Sequence, residues 1–313
     1  MPEAIRARGL TKSYPRARKA PPALAGVDLD IPAGRVYGII GRNGAGKTTF
    51  VRICATQLAP TSGELSVLGM DAVRRPSDVR LKIACVPQES RPLYFVTSRQ
   101  LIELYLRMRG AERADAARRT KEVLDELDLT PVADRLVNQL SGGMRRRAMV
   151  AMILASDAEI LFLDEPTTGL DPLARREVWA AIRRAQKANR TVVLTTHYLD
   201  EAEALSDRLA LLEGGKVVLE GRPADLRGRV HQPYRVTLPP EFPIEELRSY
   251  GTPSAVEGGT LVFATEASAR ELAIVALQRG MRISLGPVSL EDLFLQTVGH
   301  PLTEDEAPAE EWG

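Results

Sequence analysis

Residues 41–48 read GRNGAGKT. They follow the apolar run RVYGII (residues 35–40) and precede TFVRICATQL (residues 49–58), a stretch compatible with a helix. Gly41, Gly44 and Gly46 let the backbone fold around an anion with no side chains in the way, so main-chain N–H groups and a helix N-terminus face it. A strand, a loop of this composition and a helix in that order make the P-loop arrangement. Lys47 then reaches β- and γ-phosphates, and the Thr48 hydroxyl ligates Mg²⁺. Arg42, Asn43, Ala45 and Thr49 complete the set of candidate phosphate-binding positions. A Gly-rich turn that merely contains Lys-Thr would have to reproduce both the pattern and its flanks.

Residues 159–166 read EILFLDEP, an apolar run that ends in two adjacent carboxylates. Ligands of open α/β sheets bind beyond the carboxyl ends of the strands, so charge at such an end points to a site. Asp164 is placed to hold Mg²⁺ directly or through water. Glu165 is placed to orient and deprotonate an attacking water. The alternative is a helix N-cap carboxylate before Pro166.

At 313 residues the chain is long enough for about two domains. Hydrophobic residues make up 44% and charged residues 27%, a globular composition. Basic and acidic residues number 42 and 41, net +1, so no overall field draws in nucleic acid. The two cysteines, Cys54 and Cys85, lie in apolar stretches and read as reduced core thiols of a cytosolic chain. The N-terminal MPEAIRARGL lacks the apolar run of a secretory signal. The most apolar stretches, such as AMVAMILA (residues 148–155), fall short of the roughly 18 residues that cross a bilayer. Any membrane role must therefore come through a partner.

The runs RVYGIIG, KIACVPQ, EILFLDEP and TVVLTTH are short, apolar and bounded by polar residues, as buried parallel strands are. Between them the spacing predicts helices over 98–108, ended by Gly110, and over about 114–127. Together these suggest a helical subdomain, about 89–155, inserted between two strands. Near residue 230 the composition shifts to segments such as HQPYRVTLPPEFP (residues 231–243). The expected division is therefore 1–228, a small α+β domain at 229–300, and an acidic tail at 301–313 that reads as disordered.

Three further segments stand in fixed order: LSGGMRRR (140–147), TTGLDP (167–172) and TTHYLDEAE (195–203). Alone each is weak. A Ser-Gly-Gly leading into a helix does offer N–H groups and a dipole to a phosphate. With the P-loop and the strand carboxylates, the order over about residues 5–225 resembles the ATP-binding cassette (ABC) family. The resemblance implies an α/β fold: a P-loop ATPase core with an antiparallel β subdomain, the inserted helical subdomain, and the α+β domain behind. It further implies that Tyr14 in LTKSYP stacks on adenine, although a lone aromatic there can also simply pack. Gln88 in CVPQES would contact Mg²⁺ or the lytic water. Ser141, Gly142 and Gly143 would close over ATP bound to the opposite subunit. Leu170 and Asp171 would form the loop that crosses the dimer, and His197 would sense the γ-phosphate. Arg145, Arg146 and Arg147 read as a solvated helix face rather than a nucleic-acid patch.

Two departures stand out. Met144 replaces the family's usual Gln, which looks like the daunorubicin-resistance type of exporter ATPase, and PRARKAPPA (residues 15–23) lengthens a loop beside the nucleotide site. Every catalytic position is filled, so a homodimer with two competent sites is expected.

Lys47 and Ser141 stand 94 positions apart, too close for the long coiled coil of DNA-repair versions. There is one of each motif, unlike the two-cassette translation factors, and no guanine-reading NKxD. GPVSLEDLFLQTVG (residues 286–299) resembles the closing segment of exporter ATPases that pair with a separate ABC-2-type permease. Leu290, Leu293 and Phe294 in it could also simply pack as an amphipathic helix. The resemblance thus implies a subunit that binds and hydrolyses ATP with Mg²⁺. It would power export through a separate permease at the cytoplasmic face of the membrane, with no nucleic acid partner. The permease would dock on the helical subdomain, with residues 89–94 as the expected surface. A soluble ATPase that remodels a non-membrane complex is the alternative.

Overall fold

The computed structural model describes residues 2–14, 21–86, 93, 95–228, 232–256 and 258–298. Gln88, the expected docking run 89–94 apart from Leu93, and the acidic tail lie outside the described residues. The chain divides into two units, Met1–Glu220 and Gly221–Gly313.

The first unit runs β1 (Glu3–Lys12), β2 (Leu24–Pro32), β3 (Val36–Ile40), α1 (Lys47–Cys54), β4 (Ser62–Val67), β5 (Met70–Asp71), α2 (Pro76–Lys82), β6 (Ile83–Val86), α3 (Ser98–Met108), α4 (Arg113–Glu126), α5 (Gly142–Leu154), β7 (Ile160–Asp164), α6 (Pro172–Lys187), β8 (Thr191–Thr196), α7 (Leu199–Leu205), β9 (Arg208–Glu213) and β10 (Lys216–Gly221). Six strands form one sheet in the order β10-β9-β3-β8-β7-β6, with β3, β6, β7, β8 and β9 paired in parallel. An antiparallel sheet of order β2-β1-β4-β5 lies beside it.

Both faces of the parallel sheet are covered, which is why its strands read as unbroken apolar runs. Along β7, Ile160 and Phe162 face a core shared with α1 and the antiparallel sheet. Leu161 and Leu163 face the other core, shared with α3, α4, α5 and α6. Each such side chain contributes roughly 1.5–3 kcal/mol by leaving water. The P-loop helix is therefore clamped between two sheets.

Three helices, α3, α4 and α5, stand between β6 and β7 as the inserted helical layer. Thr97 starts α3 with reciprocal bonds: Gln100 N donates to Thr97 Oγ1 (3.2 Å) and Thr97 N to Gln100 Oε1 (3.0 Å). Gly110, at φ +95°, ends it in the left-handed conformation that glycine tolerates. Among the described residues no helix is long and apolar enough to cross a membrane. Both thiols are free, and burial pushes them up, Cys85 to about 12.

The second unit runs α8 (Pro223–Arg227), β11 (Tyr234–Leu238), α9 (Ile244–Leu247), β12 (Gly251–Val256), β13 (Gly259–Ala264), α10 (Glu266–Gln278), β14 (Ser284–Pro287) and α11 (Leu290–Val298). Its antiparallel sheet has the order β12-β13-β11-β14 and packs Val236, Leu238 and Val262 against Leu272 and Ala276 of α10. In α11, Leu290 and Phe294 are buried and Asp292 pairs with Arg235 at 3.2 Å. Within the second unit α8 packs on α11.

Candidate active site

The parallel register brings three strand ends level: Ile40 of β3 pairs with Thr196 of β8, and Asp164 of β7 with Thr195. The loops that leave these ends are residues 41–46, the segment from Glu165, and the segment from His197. They meet at one spot, as the topology of an open parallel sheet dictates.

The P-loop closes by a turn in which Ala45 N donates to the Arg42 carbonyl (3.1 Å). Gly46 caps α1 at φ +106°, and a Cβ built there would stand 2.4 Å from the Ala23 carbonyl oxygen, so only glycine fits. Lys47 is buried and donates Nζ to the carbonyls of Gly41 (2.6 Å) and Arg42 (3.1 Å). The same Nζ is 3.9 Å from Glu165 Oε1. Burial pushes the ammonium down, opposed by Glu165 and Asp164. Asn43 is exposed on the loop and Arg42 half-buried. Tyr14 is exposed beside α1, its hydroxyl 3.3 Å from Thr49 Oγ1 and its ring under the Lys12 ammonium at 5.6 Å from the centroid.

Asp164 is 1% exposed. Its Oδ1 accepts from Thr48 Oγ1 (3.2 Å) and from Thr195 Oγ1, while Oδ2 is buried with no hydrogen-bond partner. A buried carboxylate oxygen without a donor is costly, and a cation held with Thr48 would satisfy it. Among the described residues there is no cluster of three or more His, Cys, Asp or Glu side chains that could hold a metal ion.

Glu165 is buried in the left-handed region at φ +50°, a conformation that costs a residue with a Cβ on the order of 1–3 kcal/mol. Its backbone N–H donates to both the carbonyl (3.1 Å) and the hydroxyl (3.0 Å) of Thr195. Its carbonyl accepts from Arg146 Nη2 (2.8 Å), which also donates to the Asp164 carbonyl. Thr168 Oγ1 donates to Oε2 at 3.2 Å, and His197 Nδ1 lies 3.3 Å from Oε1. Burial pushes this carboxyl up, but His197, Lys47 and Thr168 outweigh it and hold it below the usual glutamate range. At neutral pH it is a carboxylate, the form a base requires.

A second group gathers at the start of α5. Ser141 is its N-cap, the hydroxyl accepting from Met144 N at 3.2 Å. Ser141 and Gly142 are exposed. Gly143 lies so close to Leu170 that a Cβ would stand 3.2 Å from its Cδ2. Asp171 caps α6, its Oδ1 accepting from Leu173 N and Ala174 N, both at 3.0 Å. Those bonds, Ala174's first, hold its carboxyl low.

Lys47, Thr48, Asp164, Glu165 and His197 thus share one site, with Tyr14 at its edge. Thr195, Thr168 and Arg146 belong to it too and were not singled out from sequence. The arginine run departs from the expected solvated face. Arg146 turns in to the strand-end carbonyls, and Arg147 donates to the Leu127 carbonyl and to Glu177, both at 3.0 Å. Within α5 every residue from Ala148 to Leu154 is buried while Ser141 and Gly142 at its tip are exposed, so the arginines between them stand where the helix passes from solvent into the protein.

Residues 24–168 match the family described as ABC transporter. The chain is similar to the daunorubicin/doxorubicin resistance ATP-binding protein DrrA of Streptomyces peucetius, at 36% identity over 98% of this chain and 97% of that one. It is also similar to the Nod factor export ATP-binding protein I of Cupriavidus metallidurans, at 34% identity over 89% and 93%. Among solved structures, a dimeric ATP-binding cassette in a post-hydrolysis state bound to ADP and Pi superposes with TM-score 0.65 and 27% identity, covering 70% of this chain and 98% of that one.

Proposed function

The chain belongs to the ABC transporter family as an ATP-binding subunit, and from that premise we propose that it is the motor of an exporter, hydrolysing ATP to drive a separate permease. The contacts among Lys47, Thr48, Asp164, Glu165 and His197 carry this reading. Relatives named for drug resistance and for Nod factor export favour a transport role over the remodelling of a soluble complex. The subunit acts at the cytoplasmic face of the membrane, held there by its permease.

Two copies face each other, each P-loop holding ATP under the Ser141–Gly142–Gly143 segment of the other. The exposed Tyr14 ring stacks on the adenine. The N–H groups of residues 42–48 and the Lys47 ammonium bind the β- and γ-phosphates. Thr48 and Asp164, whose Oδ2 has no hydrogen-bond partner, are the groups that would hold Mg²⁺, which would neutralise phosphate charge when bound. Glu165 takes a proton from water as the water oxygen bonds to the γ-phosphorus and the bond to the bridging oxygen breaks. His197, beside Glu165, is placed to donate to the γ-phosphate. Closure over ATP and reopening after hydrolysis move the permease. The proposed domain limits are an ATPase domain ending near residue 228 and an α+β domain behind it.

The test is ATP turnover of the purified chain with and without membranes that contain the permease. Stimulation is expected, and Glu165→Gln should bind ATP while slowing turnover by about two to four orders of magnitude. Near-normal turnover in that variant removes Glu165 as the base. Turnover indifferent to the permease removes the export motor.

A further inference from the structure

Glu165 is the group on which hydrolysis turns in the function proposed above, and its backbone stands in a region that a glutamate does not choose by itself. Something must hold it there. On one side Thr195 takes its N–H with two acceptors. On the other, Arg146 reaches out of α5 and gives one nitrogen to two successive carbonyls, those of Asp164 and Glu165. No neutral side chain of similar reach supplies such a fork, and the planar guanidinium restricts the angle at which the strand end leaves the sheet.

Arg146 has a second tie. It stands five residues after Ser141, the N-cap of the same helix. The hydroxyl and glycines at the tip of α5 are the part that a second copy's ATP would meet. The guanidinium that grips the base lies little more than one helical turn behind them. A rigid helix cannot shift its tip without shifting that guanidinium.

We propose that Arg146 is a positioning residue for hydrolysis: it fixes the backbone of Glu165 and makes its aim depend on how α5 is seated. The base is then correctly directed only when the helix that carries Ser141 is in place, which links closure of the dimer to the timing of bond cleavage. This inference rests on Glu165 being the base.

Arg146→Ala should lower kcat by about tenfold to a hundredfold, the usual effect of misdirecting a catalytic group by about an ångström. KM for ATP should stay within about twofold of the parent, because no ATP contact is lost. Arg146→Lys, which keeps a charged donor, should recover part of the loss. The decisive measurement is the double variant: in a Glu165→Gln background, Arg146→Ala should slow single-turnover hydrolysis by less than about twofold, since it has no base left to misdirect. If Arg146→Ala melts below the assay temperature, the same cycle is run with Arg146→Lys. Parent-like kcat for Arg146→Ala, or an equal further loss in the Gln background, overturns the assignment while Glu165→Gln alone remains slow. Near-normal turnover of Glu165→Gln alone overturns both it and the base.

Discussion

Gly46 shows how tightly single residues are specified. A methyl group there would meet the Ala23 carbonyl oxygen at 2.4 Å and Leu24 Cδ2 at 2.9 Å, and φ is +106°. Gly44 has a similar backbone, φ +83°, but open space where its Cβ would go. Gly46→Ala should therefore cost more than about 1 kcal/mol of stability and most of the ATP affinity, with Gly44→Ala clearly milder on both. Thermal melts and titration with a fluorescent nucleotide would check the order; equal effects would mean strain alone matters, not the contact with Ala23. The P-loop and the Asp164–Glu165 pair were legible in the sequence because each is contiguous and its chemistry is local. Thr195, Thr168 and Arg146 were not, because what makes them functional is the register of β7 on β8 and the direction in which α5 turns its arginines. A run of three arginines looks the same in sequence whether it faces water or protein.

Elements are joined here by buried polar groups as well as by apolar packing. Glu201 of α7 is fully buried. Its Oε1 accepts from Thr167 Oγ1 (2.8 Å), just past β7, and from Trp179 Nε1 (3.0 Å) on α6. Burial pushes this carboxyl up despite bonds from Thr196, Thr167 and Trp179. A carboxyl raised on folding binds its proton more tightly in the native chain, so its contribution weakens as pH rises from the unfolded value of about 4.3 through the folded one. Glu201→Gln keeps the acceptor and removes the charge. It should leave melting at pH 8 unchanged or higher and flatten the fall in stability within that interval. Glu201→Ala strands the Thr167 hydroxyl and the Trp179 N–H and should cost about 1–3 kcal/mol for each. A Gln variant as unstable as the Ala variant at pH 8 would refute this. At this scale the helices of 98–108 and 114–127 were readable from apolar spacing. The antiparallel sheet was less so, since β1, β2 and β4 pair over register shifts that no local pattern announces.

For the whole molecule, the site of one copy contains the P-loop and base, while Ser141 and Gly142 stand exposed at the tip of α5. In the proposed dimer it is the second copy's ATP that they would meet. With Glu165→Gln and Mg-ATP, the elution mass should move from 34.3 kDa toward twice that value. Adding Ser141→Arg should return it to the single-chain mass. A mass independent of nucleotide would argue against ATP at the joint. Length and the composition shift near residue 230 lead to the expectation of two domains, while the packing of α8 on α11 joins segments far apart in the chain and is announced by no local pattern.

The left-handed backbone at Glu165 sets folding and turnover against each other at one position. Glycine there would relax the backbone but leave the buried Lys47 ammonium and the Thr168 hydroxyl without their carboxylate, so the contacts that hold the proposed base are also what sustain its strain. Selection for heat resistance alone would therefore gain nothing by relaxing this backbone unless it also replaced the partners that Lys47 and Thr168 would lose.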